Sequence, residues 1–307
     1  MTDEWRVQFD AEVTFLNGGG LQAQGFRLDI PGEDITDQEL AGMFIRSLSL
    51  LMVESVRFTN RQLLREPHMG SRGTEHGTEA GPVRPGPRRL IELSHTIRHG
   101  MVTYPGLPGP EITGHLSRES SRAIYAPGCE FHIGRISMVA NTGTYLDTPF
   151  HRYEGGADLA GIPLASLADL DGLVLRLAGS AQRAIDRAAF LPYDVAGKAV
   201  LVHTGWDRHW GTEQYGEGHP YLTSDAAEWL VAQKAALVGI DSLNIDDTRD
   251  GARPVHSALL AAGTPIVEHL TGLDQVPVQG FRFHAAPPRV EGMGTFPVRA
   301  FAIVEAS

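Results

Sequence analysis

Cysteine is nearly missing from this chain, with Cys129 alone among 307 residues. An intramolecular disulfide and a cysteine-built zinc centre are thereby excluded, so any metal has to rest on His, Asp and Glu. No nucleophile signature surrounds Cys129, which is expected to be a small buried hydrophobe. Long apolar runs are missing too: none approaches about 18 residues, and Met1-Thr2-Asp3-Glu4 opens acidic with no signal-peptide core. A cytoplasmic protein is expected. Positive charge is in short supply, since the formal net charge is −11 and no Lys/Arg run offsets it. A nucleic-acid partner is therefore not expected, and the acidic surface serves solubility. What is present is ordinary for a globular protein, 42% hydrophobic and 21% charged residues, in a chain long enough for one large domain or a domain with an appendage.

Val7, Phe9, Ala11, Val13 and Phe15 alternate with polar residues, the pattern of a half-buried antiparallel strand. Asn17-Gly18-Gly19-Gly20 turns the chain, and Leu21 to Ile30 reads as the returning strand with a bulge at Gly25. Thr36 and Glu39 form a capping box, and the apolar spacing predicts a helix from about 37 to 52. Val53 to Phe58 reads as a third strand. Residues 1–65 thus form a small β-β-α-β subdomain without a chemical motif. Residues 66–88, dense in Gly, Pro, Arg and Glu, read as a linker in which His68 and His76 are solvated. The main domain then occupies residues 89–307.

In that domain Leu90–Leu93, Ile112–Leu116, Phe131–Val139, Leu173–Leu177, Ala199–Thr204 and Leu237–Ile240 read as strands. Ala181–Phe190 and Ser224–Lys234 read as helices, the latter capped by Thr223 or Ser224. His256 opens a short helix that Gly263 ends, Ile266-Val267 is a buried strand delivering Glu268, and Phe281–His284 and Phe296–Val304 supply the last strands. Buried strands mixed with few helices indicate an α/β fold of mixed sheet topology. A loop carrying Trp206, His209, Trp210, Tyr215, His219 and Tyr221 is either the rim of a pocket for a flat substrate or internal packing.

The stretch with the most chemistry is Asn141-Thr142-Gly143-Thr144-Tyr145-Leu146-Asp147-Thr148-Pro149-Phe150-His151. A carboxylate can hold a hard or borderline cation, and a histidine can ligate one or move protons near neutral pH. An Asp in a Gly/Thr loop also serves simply to satisfy turn N–H groups. Taken whole, the stretch resembles the H-x-G-T-H-x-D-x-P-x-H signature of the cyclase family, whose members include kynurenine formamidase and isatin hydrolase. Gly143, Thr144, Asp147, Pro149 and His151 match, while Asn141 and Tyr145 stand where the family has histidines. Leu93-Ser94-His95, Tyr104-Pro105-Gly106, Thr204-Gly205-Trp206, Gly239-Ile240-Asp241, His256 and Ile266-Val267-Glu268 fall in the family's order, so the likeness covers roughly residues 89 to 307.

The resemblance implies the swivelling β/α/β cyclase fold and a homo-oligomer, dimer or tetramer. It also implies one divalent metal, Zn or Mn, held by Asp147, His256 and Glu268, with His151 beside them as acid/base or ligand. The second metal position of the family loses its ligands here, because a neutral amide at Asn141 ligates poorly and Tyr145 would need to be a phenolate. Catalysis is expected to involve His151, Glu268 and Tyr145, and substrate binding Asn141, Thr144, Trp206 and Tyr104. The expected reaction is hydrolysis of an amide or formamide C–N bond in a small cyclic or aromatic substrate. The alternatives are a cyclase or dehydratase of secondary metabolism and a small-molecule binder that has lost hydrolysis.

Overall fold

The computed structural model describes residues 3–16, 18–30, 32, 34–48, 50–67 and 88–305. The chain packs as two units, one of Met1–Pro85 with Ala188–Asp194 and the other of Gly86–Arg187 with Val195–Ser307.

In the first unit, β1 (Asp3–Phe15), β2 (Gly20–Ile30) and β3 (Val53–Pro67) form an antiparallel sheet in the order β2-β1-β3, joined by α1 (Asp37–Ser47). The alternation in β1 holds: Val7, Phe9, Ala11, Val13 and Phe15 are all buried. Phe9 makes edge contacts with Phe44 of α1 and Phe58 of β3, with ring centroids 5.3 and 4.8 Å apart. Such aromatic pairs add to the core of so small a unit. The bulge falls at Gly25, where the register slips opposite Asp10, φ is +61°, and the Gly25 N–H donates to Asp10 Oδ1 at 2.7 Å. The Thr36–Glu39 capping box is formed. Two boundaries move: α1 stops at Ser47 rather than near 52, and β3 continues to Pro67 because it pairs with β1 along its whole length. Residues 68–87 of the expected linker, with His68 and His76, lie outside the described residues.

The second unit is built on a nine-stranded mixed sheet. Its strands are β4 (Arg88–Glu92), β7 (Tyr145–Asp147), β8 (Leu170–Arg176), β10 (Ala199–His203), β12 (Leu237–Ile240), β13 (Ile266–Glu268), β14 (Phe281–His284), β15 (Thr295–Pro297) and β16 (Phe301–Glu305). The order is β15-β7-β13-β12-β10-β8-β14-β16-β4. The middle four, β13-β12-β10-β8, run parallel, and antiparallel strands extend the sheet on both sides. Every residue of β10 and β12 is buried, which is why those runs read as continuously apolar rather than alternating. Helices α3 (Ser224–Ala232) and α4 (Pro254–Ala261) pack on each other. Among the described residues no helix is long and apolar enough to cross a membrane.

Three expectations are corrected in this unit. Ala181–Phe190 is not a helix: Ala184–Ile185 forms the short strand β9, which pairs with β11 (Tyr221–Leu222), and the Arg187 N–H donates to Asp225. Tertiary pairing there overrides a helical propensity. Cys129 is exposed rather than buried. It follows a turn in which its N–H donates to Ala126 at 2.9 Å, on an arm made by β5 (Glu111–Leu116), the one-turn helix α2 (Arg118–Ser121) and β6 (Ile133–Ser137). The strand expected over Phe131–Val139 is this shorter β6, and its apolar residues face outward.

Candidate active site

The three-residue strand β7 sits between β13 and β15, and that position does most of the assembly. Tyr145 lies opposite Glu268 in β13, and Asp147 lies opposite Thr295 in β15. Residues opposite on one face of a sheet pair meet directly. Accordingly the Tyr145 hydroxyl donates to Glu268 Oε2 at 2.7 Å, and the Thr295 hydroxyl donates to Asp147 Oδ1. Leu146, between them, points to the other face and joins the hydrophobic core. Gly143, with φ of +68°, turns the chain into β7 while its N–H donates to Thr103 Oγ1 at 2.7 Å.

Past β7, Thr148 leads into a 3₁₀ turn over Pro149–His151, which places His151 Nδ1 3.7 Å from Asp147 Oδ1. The third member arrives from α4. His256 Nε2 lies 3.7 Å from Asp147 Oδ2 and 3.6 Å from Glu268 Oε1, and its Nδ1 is 2.6 Å from Asp246 Oδ2. Asp246 also accepts the backbone N–H groups of Val255 and His256 at 2.7 and 3.0 Å, so one carboxylate caps α4 and holds the imidazole. Burial favours a neutral His256, but the carboxylates of Glu268, Asp147 and Asp246 outweigh it and raise its pKa. Burial and neighbouring Asp147 raise that of Glu268 against the pull of His256. Asp246 is held below the usual carboxylate range: burial works against this, but its hydrogen bonds from His256 prevail.

Asp147 is fully buried, and its Oδ2 has no hydrogen-bond partner among the described residues. A buried carboxylate oxygen left bare is costly unless a cation meets it. Asp147, His151 and His256 each offer a ligand atom, all within 4.8 Å of one another. These residues therefore fit a metal ion: hard oxygen and imidazole nitrogen converge on a bare oxygen, with a carboxylate behind the imidazole to orient it.

Burial, with Glu268 and Asp147 nearby, pushes the Tyr145 phenol well above its usual value, so it stays neutral and acts as a donor to Glu268 rather than as a phenolate ligand. The neighbouring Asn141 amide pulls the same phenol the other way, without overcoming that rise. Thr144, expected at the substrate, has its hydroxyl committed elsewhere, donating to His269 O at 2.6 Å and accepting from the His95 N–H at 3.0 Å. It clamps three loops. Trp206 donates to the Tyr215 carbonyl at 3.1 Å. Tyr104 lies between Thr103 and Pro105, which line a cavity of about 410 Å³ together with Met101, Trp210, Tyr215 and Leu243. The cavity abuts the motif, since Thr103 holds Gly143 and Leu243 precedes Asn244, whose amide is 3.5 Å from Glu268 Oε2. Trp210 and Tyr215 of the aromatic loop are pocket walls, whereas His219 is buried against the Pro220 carbonyl.

A family model described as putative cyclase matches residues 91–247. The chain belongs to the cyclase family. Kynurenine formamidase of Erythrobacter litoralis is 29% identical over 205 residues, covering 66% of this chain and 88% of that protein. Kynurenine formamidase of Bacillus cereus ATCC 14579 is 24% identical over 217 residues, covering 68% and 95%. Among solved structures, a potential metal-dependent hydrolase with cyclase activity superposes with a TM-score of 0.58 at 26% identity, over 72% of this chain and all of that one. Isatin hydrolase A from Ralstonia solanacearum does so at 0.61 and 22%, over 71% and 92%, a likeness of fold. The mixed sheet is thus that of the cyclase fold. Three residues of this cyclase's site had no signal in the sequence: Asp246 and Asn244 sit in an ordinary-looking Asn-Ile-Asp-Asp turn, and Thr295 in a Gly/Thr stretch. Only strand register and helix capping reveal them.

Proposed function

We propose that this cyclase-family chain is a metal-dependent hydrolase of an amide or formamide C–N bond in a small aromatic or cyclic substrate. One observation carries the proposal: the bare Asp147 Oδ2 and His256 Nε2 face each other at 3.7 Å, with Glu268 and His151 beside them. Asp147, His256 and Glu268 would hold one divalent cation, Zn or Mn by their donor types. When bound, that ion supplies Lewis acidity, polarising a carbonyl and easing deprotonation of water.

The remaining work falls to side chains. His151, whose side chain is 36% exposed, takes a proton from water and returns it to the leaving nitrogen. Tyr145 and the Ile245 N–H, the latter 2.7 Å from Glu268 Oε1, fix the Glu268 carboxylate so that it cannot swing away. The cavity beside the motif, walled by Trp210 and Tyr215, suits a flat ring. The 29% identity to a kynurenine formamidase supports aryl formamides as the first substrates to try.

The test is metal quantitation followed by a panel of aryl formamides and cyclic amides. About one equivalent of metal and turnover on the panel are expected, with His151→Ala losing at least about 100-fold in kcat while keeping its metal. A protein that holds no metal and hydrolyses nothing is a binder instead. We also propose self-association through the exposed arm, on which Ile112, Phe131, Ile133 and Ile136 are 43–54% exposed.

A further inference from the structure

Thr295 makes two contacts that no motif announces. Its hydroxyl donates to Asp147 Oδ1, and the same oxygen lies 2.7 Å from His151 Nδ1. The residue is 3% exposed, so water does not compete for either contact. A threonine hydroxyl has one proton, and an ionised carboxylate can only accept. Once that proton points to Asp147, the oxygen has only lone pairs left for His151, and Nδ1 must carry the hydrogen between them.

We propose that Thr295 is a positioning residue that sets the tautomer of His151, holding hydrogen on Nδ1 and leaving the Nε2 lone pair for the reaction. The chain Asp147–Thr295–His151 is then a carboxylate acting on an imidazole through one intervening hydroxyl. His256 is arranged alike, with Asp246 Oδ2 directly on its Nδ1 at 2.6 Å. Both rings thereby turn Nε2 away from their anchoring carboxylates. The backbone around Thr295 is built to hold this geometry. The Thr148 N–H and hydroxyl both donate to the Gly294 carbonyl, at 2.7 and 3.1 Å, tying the entry to β15 to the turn that carries His151. A Cβ at Gly294 would lie 2.2 Å from the His151 backbone nitrogen, so only glycine allows the two segments so close. His151 is thus fixed in place by Gly294 and in hydrogen position by Thr295.

The inference rests on His151 as the proton carrier, and the experiment separates the two. Two-bond ¹H–¹⁵N spectra of the full-length protein labelled at histidine, recorded near pH 8.5 and assigned with His151→Asn, report the tautomer without any turnover. Wild type is expected to show hydrogen on Nδ1 of His151. Thr295→Val should move it to Nε2, the form free imidazoles prefer, and Thr295→Ser should restore Nδ1. In the metal-loaded enzyme, Thr295→Val should lower kcat by about 10- to 100-fold with KM within about twofold, and Thr295→Ser should recover most of it. A wild-type spectrum with hydrogen on Nε2 overturns the inference whether or not any variant folds. So does a His151 signal unchanged in Thr295→Val. Full activity of His151→Ala would instead sink the proton-carrier role and leave the spectra to be judged alone.

Discussion

At the scale of single residues the site is a problem of unbalanced charge. Asp147, Glu268 and Asp246 surround His256, and the imidazole answers by holding its proton past neutral pH. A divalent cation at this place must displace that proton. Affinity is therefore expected to rise as pH rises through neutrality, since fewer free protons compete for the imidazole, and binding should release about one proton per ion. Calorimetric titration in buffers of different ionisation enthalpy measures that number. Asp246→Ala removes both the helix cap and the acceptor behind His256, and should weaken metal binding by about 10- to 100-fold with the ion still bound at saturation. Equilibrium dialysis against a chelator would show it, and an unchanged affinity would mean that Asp246 caps the helix and nothing more. Asp147, His151, His256 and Glu268 were legible because they fall on the signature and the ordered landmarks that the chain shares with the cyclase family. Asp246 and Thr295 were not, because their importance lies in whom they face, which spacing along a chain does not encode.

At the scale of elements the apolar strands read well wherever burial alone decides them. The strands β10 and β12 and the alternating β1 are cases, since their patterns follow directly from being covered on two faces or one. Where a partner segment decides, the pattern misleads: Ala181–Phe190 has helical composition but is drawn out by pairing with Tyr221–Leu222. The arm of β5, α2 and β6 is another such case, because apolar spacing that normally signals a core here lies on the outside. If that surface joins copies of the chain, charging it should separate them. The double variant Ile133→Lys/Ile136→Lys is expected to give the monomer mass by light scattering, with its circular dichroism unchanged because neither side chain is in the core. A wild type that already runs as a monomer would refute the association.

On the scale of the whole molecule, one buried and one half-buried imidazole make the fold sensitive to acid. Burial depresses His269 to about 3 and His95 to about 4, and both sit against Trp210, His95 stacked at 3.9 Å between centroids. Their folded-state values lie below the value of about 6.5 of the unfolded chain, so the unfolded state takes up protons first. The contribution of these two groups is thus whole above about pH 6.5 and is lost as pH falls toward 3. His269 alone contributes a slope of about 1.4 kcal/mol per pH unit in that window. Urea midpoints measured at pH 7 and pH 5 should fall accordingly, and His269→Gln should flatten the dependence.

The placement of β15 has an outcome for biosynthesis. Asp147 is translated 148 residues before Thr295, which faces it from β15. While the intervening residues are being made, the nascent polypeptide carries Asp147 without its strand partner, and the apparatus closes only when β15 arrives. Termination between Asp147 and Thr295 therefore yields a chain that holds the carboxylate but lacks the hydroxyl that faces it.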